Sequence, residues 1–198
     1  MGIPTHRVNL NYVYRLPFGK GLKSGVLNYI LADWELSGNY SLFSGQFLTP
    51  LWSGPDTTGT AFTTTLAPAV LSRRPDVLRD PNLPADQRTT NRWFDTRAFA
   101  APQPGQFGSA AKGIIKGPGV NVWHSGLAKV IPIKERLKLR AEMTATNILN
   151  HPNWSNPGLV VNATASAGVI SAVGGVNGGA TGDNPGVRVF RAALRLDF

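Results

Sequence analysis

The residues of this sequence that could perform acid–base or metal chemistry are few and widely separated. The chain has three histidines, no cysteines and 11 acidic residues. His6, His124 and His151 have no partner at i+4 and no companion at zinc-ligand spacing. Asp95 and Glu142 are candidate hydrolase acids, but they lie far apart in sequence. Because the chain also has no Gly-x-Ser-x-Gly elbow and no phosphate-binding loop, we predict no enzyme, no metal site and no cofactor.

A second group of candidate residues consists of charged residues that recur at every second position of the predicted strands. In the final segment VFRAALRLDF, apolar residues occupy one parity, and Arg191, Arg195 and Asp197 occupy the other. Such alternation is typical of a strand with one apolar and one polar face. The charged face could attract anions or hold another domain by ion pairs, and solvated charge without a ligand is the alternative. The predicted set is Arg7, Arg15, Lys138, Arg140, Glu142, Arg191 and Arg195.

Aromatic residues form the third group of candidates. Trp34, Trp123 and Trp154 lie near the ends of the alternating segments. A tryptophan ring is apolar but carries a polar N–H, so it is favoured at a membrane–water boundary, and we predict that position for all three. Packing in a protein core is the alternative for each of them. Another aromatic cluster lies within a long connection, and we expect it to pack that connection on itself rather than bind a ligand. This cluster comprises Trp93, Phe94 and Phe99.

Composition narrows the class of protein. The 198 residues are 42% hydrophobic and only 16% charged, below the roughly 25% typical of soluble domains. The net charge is +9, but the basic residues are scattered, which favours dispersed surface charge over a nucleic-acid partner. No run of apolar residues is long enough for a transmembrane helix. The start MGIPTHRVNL has no signal-peptide pattern, so we expect Met1 to begin a fragment of an exported protein.

Period-two alternation predicts the elements that position these residues. The sequence predicts about five strands, whereas GVLNYILADW predicts a helical turn or two. The connections alternate between short ones, such as PIKER, and long ones. The predicted strands lie near 6–16, 34–52, 122–131, 137–147 and 188–198, with long loops near 53–121 and 150–186.

Long strands with alternating short and long connections are typical of a transmembrane β-barrel. Its strands need about 9–11 residues, whereas strands of soluble proteins average about 5–6. Apolar side chains then face lipid and the charged set faces the lumen, because an arginine facing hydrocarbon costs about 2–4 kcal/mol at the midplane. We therefore predict an all-β fold: antiparallel strands from the C-terminal part of an outer-membrane barrel. Five strands cannot close a barrel, so the fold is incomplete on its own.

Six stretches, in order, resemble the C-terminal barrel of Oar-like TonB-dependent receptors, which carry a carboxypeptidase-regulatory-like domain. NILNHPNW and RWFDTRAFA are the most specific of the matching motifs. The stretches cover nearly the whole chain. They are HRVNLNYVYRLPFGKG, WELSGNYSLFSGQFLTP, RWFDTRAFAAPQPGQFG, IIKGPGVNVWHSGLAK, ERLKLRAEMTATNILNHPNW and RAALRLDF.

The resemblance implies a barrel of about twenty-two strands with an N-terminal plug domain in the outer membrane of a Gram-negative-type bacterium. It implies uptake of a large or scarce substrate driven by the TonB system, with long loops outside. The implied partners are outer-membrane lipid, the barrel-assembly machinery, TonB and the plug, without nucleic acid. The 198 residues contain no plug or TonB box. The chain end resembles the signal that the assembly machinery recognises, through Phe190, Leu194, Leu196 and Phe198.

Two other readings of the alternating strands stay open. A small soluble β-sandwich or adhesin-like binding module would fold without detergent and bury Leu194 and Leu196 in its own core. A secreted, β-rich carbohydrate-active enzyme would place a pair of acids in a cleft. The sequence does not specify the substrate of a receptor, because loops carry that specificity.

Overall fold

The computed structural model describes residues 4–18, 25–53, 74–103, 106–133, 137–173 and 187–198. These residues form two compact units. The sheet unit comprises Arg7–Phe43, Val120–Asn153 and Val173–Phe198, and the loop unit comprises Met1–His6, Ser44–Gly119 and Trp154–Ala172, each as far as it is described.

The described residues contain long strands, very short strands, one α-helix and two single-turn 3-10 helices. The strands are β1 (Arg7–Arg15), β2 (Trp34–Phe43), β3 (Phe47–Leu48), β4 (Asp76–Val77), β5 (Phe99–Ala100), β6 (Ile115–Lys116), β7 (Val120–Pro132), β8 (Lys138–Thr146) and β9 (Val189–Asp197). The helices are α1 (Gly25–Leu31) and the 3-10 turns Ala85–Gln87 and Thr96–Ala98.

The five long strands form one antiparallel sheet in the order β1-β2-β7-β8-β9. This confirms the prediction of about five antiparallel strands in an open sheet. The strands are 9 to 13 residues long, enough to cross the hydrocarbon core of a bilayer. Within the described residues, β1 and β9 each pair with one neighbour, so the sheet is not closed.

Strand register gives the sheet one apolar and one polar face, because directly opposed residues in an antiparallel pair share a face. One row of the apolar face runs from Leu36 to Leu127 and Met143. The neighbouring row, on the other face, begins with Glu35 opposite Ala128. The alternation in the sequence therefore holds across β1, β2, β8 and β9. In β7 it is weak, because Val120 and Val122 lie on the polar face and Ser125 lies on the apolar face.

The connections leave the sheet in a regular pattern. Consecutive antiparallel strands place β1–β2 and β7–β8 connections at one end, which we call the short-connection end. The other end, where the long connections leave, is the long-connection end. Helix α1 lies in the β1–β2 connection, where the sequence predicted a helical turn or two. Among the described residues, none of the helices has the length and apolar character needed to span a bilayer.

The predicted strand 34–52 ends earlier, at Phe43. Ser44 still donates its N–H to the His6 carbonyl (2.9 Å), but the following Gly45 lies so close to Gly117 that a Cβ would be 1.9 Å from its carbonyl oxygen. Phe47 then pairs with Lys116 in β6 rather than with the large sheet. The predicted loops 53–121 and 150–186 include residues 54–73 and 174–186, which lie outside the described residues, as do 134–136 of the PIKER turn.

The loop unit has a hydrophobic core of its own. Phe94, Ala98 and Ile115 are almost fully buried, and the Phe94 and Phe99 rings meet edge to face with centroids 6.2 Å apart. Trp93 packs against this core and donates its indole N–H to the Lys116 carbonyl (2.8 Å). The prediction that this aromatic cluster packs the connection on itself is confirmed.

The NILNHPN part of the sequence forms the turn that ends β8. Asn147 is fully buried and adopts a left-handed conformation (φ 48°), which asparagine tolerates better than most residues. Its Nδ2 donates to the His151 carbonyl (2.9 Å), and its Oδ1 accepts from the His151 N–H (3.2 Å). The buried Asn153 accepts the Asn121 N–H (2.7 Å) and so ties the turn to β7. The two buried amides at Asn147 and Asn153 therefore hold a turn whose middle residues are exposed.

Candidate functional site

The candidate site is the polar face of the five-stranded sheet. It consists of every second residue of each strand, namely those whose side chains lie on the same side of the sheet as Glu35. All seven of the charged residues proposed from the sequence lie on this face: Arg7 and Arg15 on β1, Lys138, Arg140 and Glu142 on β8, and Arg191 and Arg195 on β9.

At the short-connection end, Arg15, Arg140 and Glu142 join Glu35 in an ion-pair network with members on β1, β2 and β8. Arg140 Nη2 lies 3.1 Å from Glu35 Oε1, and Arg140 Nε lies 3.4 Å from Glu142 Oε2. Arg15 Nε lies 3.7 Å from the other oxygen of Glu35. The residue between Glu35 and Glu142 in the register is Ala128, whose small side chain lets β8 reach β2 over β7.

Glu35 was missing from the charged set proposed from the sequence, although it alternates with Trp34 and Leu36. Its parity was the signal that could have identified it. The finding changes the electrostatics of the face, because Glu35 neutralises part of the cationic charge. At the end of β9, Arg195 is likewise paired with Asp197 at 2.7 Å. This end of the polar face is therefore an ion-pair network and not a uniformly cationic wall.

The half of the polar face nearer the long-connection end carries amides and hydroxyls. Asn39 donates its side-chain N–H to the Asn11 amide oxygen on β1. The Ser41 hydroxyl donates to Asn9 Oδ1 (2.9 Å) and also lies 3.1 Å from Asn39 Oδ1. At the edge of this region, the Arg7 guanidinium lies 4.6 Å from the centre of the Phe43 ring. Uncharged groups of this kind exchange hydrogen bonds readily with water and with hydroxylated solutes.

On the apolar face, one group of polar side chains is internally hydrogen-bonded. Trp123 donates its indole N–H to the Tyr12 hydroxyl (2.9 Å), which lies 3.3 Å from Ser125 Oγ. Ser125 in turn reaches the Ser37 carbonyl (3.3 Å). Tyr12 covers Gly38, where an added Cβ would lie 2.4 Å from the Tyr12 hydroxyl oxygen. Mutual hydrogen bonding is what a hydrocarbon environment demands of such groups.

The other two tryptophans proposed for a boundary occupy different surroundings. Trp34 lies on the apolar face at the short-connection end and donates its indole N–H to the Ile30 carbonyl (2.9 Å). The Lys129 ammonium lies 5.2 Å from the centre of that ring. Trp154 lies in the loop unit and is partly buried. Thus Trp34 and Trp123 share the apolar face, and Trp154 does not belong to the sheet.

The proposed terminal signal residues share the apolar face of β9. Phe190, Leu194 and Leu196 lie opposite Ala145, Ala141 and Leu139 of β8. Leu194 is 74% exposed, and Phe198, directly after the strand, is 98% exposed. The β9 edge of the sheet therefore exposes large apolar side chains on the apolar face.

Among the candidate acids and histidines, the side chains of Asp95 and His124 make structural contacts. Asp95 Oδ2 accepts hydrogen bonds from Arg79 (2.7 and 3.2 Å), and Oδ1 accepts from the Arg97 N–H (3.2 Å). Burial raises the pKa of Asp95, but these hydrogen bonds and the neighbouring arginine charges outweigh burial and lower it overall. A general acid needs the opposite shift. His124 accepts the Asn147 N–H at Nδ1 (3.4 Å).

No group of three or more His, Cys, Asp or Glu in the described part of the chain is arranged to hold a metal ion.

The chain was compared with known proteins and families. The family model described as an outer membrane beta barrel domain matches residues 3–189, nearly the whole chain. No curated protein and no solved structure matches it. With an open sheet of membrane-spanning length and one apolar face, the chain belongs to the outer membrane beta barrel domain family and is part of a barrel in the outer membrane.

Proposed function

We propose that the chain forms five barrel strands of a TonB-dependent receptor of the Oar-like type, which takes up a large or scarce substrate across the outer membrane. The observation that carries this proposal is the contrast between the two faces of the sheet. The polar face offers ion pairs and amides to a wet lumen, and the apolar face offers exposed leucines with the internally bonded Tyr12–Trp123 pair to lipid.

Two features favour a receptor over a passive pore. The first is the ordered set of six segments that resemble Oar-like receptors. The second is the loop unit, because connections with their own hydrophobic core can present a defined surface to a substrate. In the proposed orientation β9 runs toward the periplasm, so the long connections are extracellular and the short connections are periplasmic.

The network around Glu35 suggests how the plug domain would be held. Arg140 and Arg15 already share the Glu35 carboxylate, so an acidic group of the plug can compete for either guanidinium. The proposed partners are this plug, TonB, the barrel-assembly machinery and outer-membrane lipid. The cell would be of the Gram-negative type.

The soluble alternatives fit the structure less well. A β-sandwich buries its apolar face against a second sheet. Here Leu194 is 74% exposed and Leu196 is 51% exposed, so neither lies in a core of the described residues. In a carbohydrate-active enzyme, the lowered pKa of Asp95 would suit the ionised carboxylate and not the general acid.

The test is conductance of the intact outer-membrane protein in a planar bilayer, combined with capture by the periplasmic domain of TonB. A plugged receptor is expected to show no steady conductance, to bind the TonB domain, and to open a large channel when the plug is deleted. A matched control lacks only the TonB box and should stay closed without binding TonB. Steady conductance without TonB binding would indicate a passive pore, and a monomer that folds without detergent would indicate a soluble module.

A further inference from the structure

We propose that α1 is an interfacial helix that lies on the outside of the barrel, embedded in the phospholipid leaflet at the short-connection end. The inference rests on the proposed assignment of the apolar face to lipid. It adds a second contact with the membrane, made by a connection and not by a strand.

The position of α1 follows from two hydrogen bonds that reach it from the apolar face. Trp34 and Lys129 are directly opposed on that face. Trp34 Nε1 donates to the Ile30 carbonyl (2.9 Å), and Lys129 Nζ donates to the Ala32 carbonyl (2.6 Å). Asp33, with φ 59°, makes the sharp turn between helix and strand. The end of the helix is therefore fastened on the lipid-facing side and not on the lumen side.

The surface of α1 suits lipid better than water. The sequence GVLNYIL has no charged residue, and none of its residues is buried. Apart from Asn28 and the Tyr29 hydroxyl its side chains are apolar, and a short helix with so many exposed apolar side chains needs an apolar environment around it. Tyr29 carries a polar hydroxyl suited to the headgroup level. Between 42% and 72% of the surface of each apolar side chain is exposed at Val26, Leu27, Tyr29, Ile30 and Leu31.

The helix also continues an apolar surface of the sheet. Next to Trp34 on the apolar face, the small side chains of Ala141 and Ala192 leave a shallow groove between larger apolar side chains. Trp34 therefore lies between this groove and α1. Lys129 places a cation beside this ring, a charge that suits lipid phosphates. We therefore assign a phospholipid leaflet as the occupant. The lining of the groove includes Trp34, Leu127, Ala141, Met143, Ala192 and Leu194, with Glu142 and Ala193 beside them.

Single nitroxide labels can test this placement, because the 198 residues contain no cysteine. The labels are attached at Val26→Cys and Ile30→Cys in the complete receptor, reconstituted in phosphatidylethanolamine–phosphatidylglycerol vesicles. Leu194→Cys is the lipid control and Val13→Cys, on the polar face, is the water control. Collision with oxygen, which concentrates in lipid, is compared with collision with a water-soluble nickel chelate.

The α1 labels are expected to give an oxygen-to-nickel ratio close to that of Leu194→Cys and several-fold above that of Val13→Cys. A ratio like that of Val13→Cys would place α1 in water and overturn the proposal. Low collision with both reagents would mean that protein covers the helix, which also overturns it. If Leu194→Cys itself collides with nickel, the barrel assignment fails instead. Should Ile30→Cys not assemble, Leu27→Cys gives the same readout.

Discussion

Glu35 connects two arginines on the polar face and has a measurable energetic role there. We predict a coupling free energy of about 1 kcal/mol between Glu35→Gln and Arg140→Met in a double-mutant cycle, because both side chains are partly shielded. Urea unfolding of the assembled barrel measures it. The control pair, Arg195 with Asp197, is far more exposed and should couple by no more than a few tenths of a kcal/mol. Equal coupling in both cycles would contradict this account of the network.

Gly38 is the residue at which the apolar face can least accept a side chain. In Gly38→Ala, the new Cβ would meet the Tyr12 hydroxyl and, at 2.6 Å, the backbone carbonyl of His124. Tyr12 would have to leave Trp123, so we expect a loss of about 1–3 kcal/mol in the free energy of unfolding. Gly25→Ala is the matched control, because nothing lies within 4 Å of its added Cβ. Comparable losses in the two variants would contradict the crowding argument.

Asp95 gives the loop unit a dependence on pH. Its pKa is lowered on folding, so its contribution to stability is complete above the unfolded-state pKa and is lost as pH falls through the folded pKa. Limited proteolysis of the loop unit should therefore accelerate as the pH is lowered below about 4. The Asp95→Asn variant should be cleaved faster than the wild type at neutral pH. Its cleavage rate should then increase much less as the pH is lowered. A wild-type rate that is flat down to pH 2 would show that Asp95 is not involved.

At the scale of elements, the turn after β8 depends on one buried amide. Asn147→Ala would leave the His151 N–H without its acceptor and place alanine at positive φ, so we expect a loss of about 2–4 kcal/mol. Asn150 also has positive φ (51°) but is exposed, so Asn150→Gly should cost less than about 1 kcal/mol. Thermal unfolding of the two variants in the assembled barrel measures the difference. Similar losses would contradict the special role of the buried Asn147 amide at this turn.

Most of the long strands were predictable because they encode their own faces by alternation, and β9 shows this in nine residues. The end of β2 was predicted too late. The alternation stops at Phe43, because the polar Ser44 takes the parity of the apolar face, and Gly45 then packs against Gly117, more than seventy residues later in the sequence. Parity also placed Arg140 on the polar face, whereas its pairing with Glu35 depends on the register of β7 between them. Contacts distant in sequence decide both features.

At the scale of the whole molecule, the open edges of the sheet say most about its context. β1 and β9 pair on one side only within the described residues, and both carry exposed apolar side chains. Unpaired backbone groups are not tolerated in hydrocarbon, so each edge requires another strand of the barrel. The sheet is thus one part of a barrel wall, and its stability depends on pairing with further strands at both edges. Hydrogen exchange of single backbone amides can test this dependence.

Closure predicts which amides of β1 change their exchange with solvent. Leu16 donates its N–H to the Trp34 carbonyl, so the even-numbered residues of β1 bond β2, and the N–H groups of Asn9, Asn11 and Val13 point to the open edge. In the assembled barrel these three should exchange hydrogen as slowly as Leu10, and in the isolated chain they should exchange much faster. Hydrogen exchange resolved by residue measures this. Fast exchange in the assembled protein would show that β1 stays an edge and that the barrel closes elsewhere.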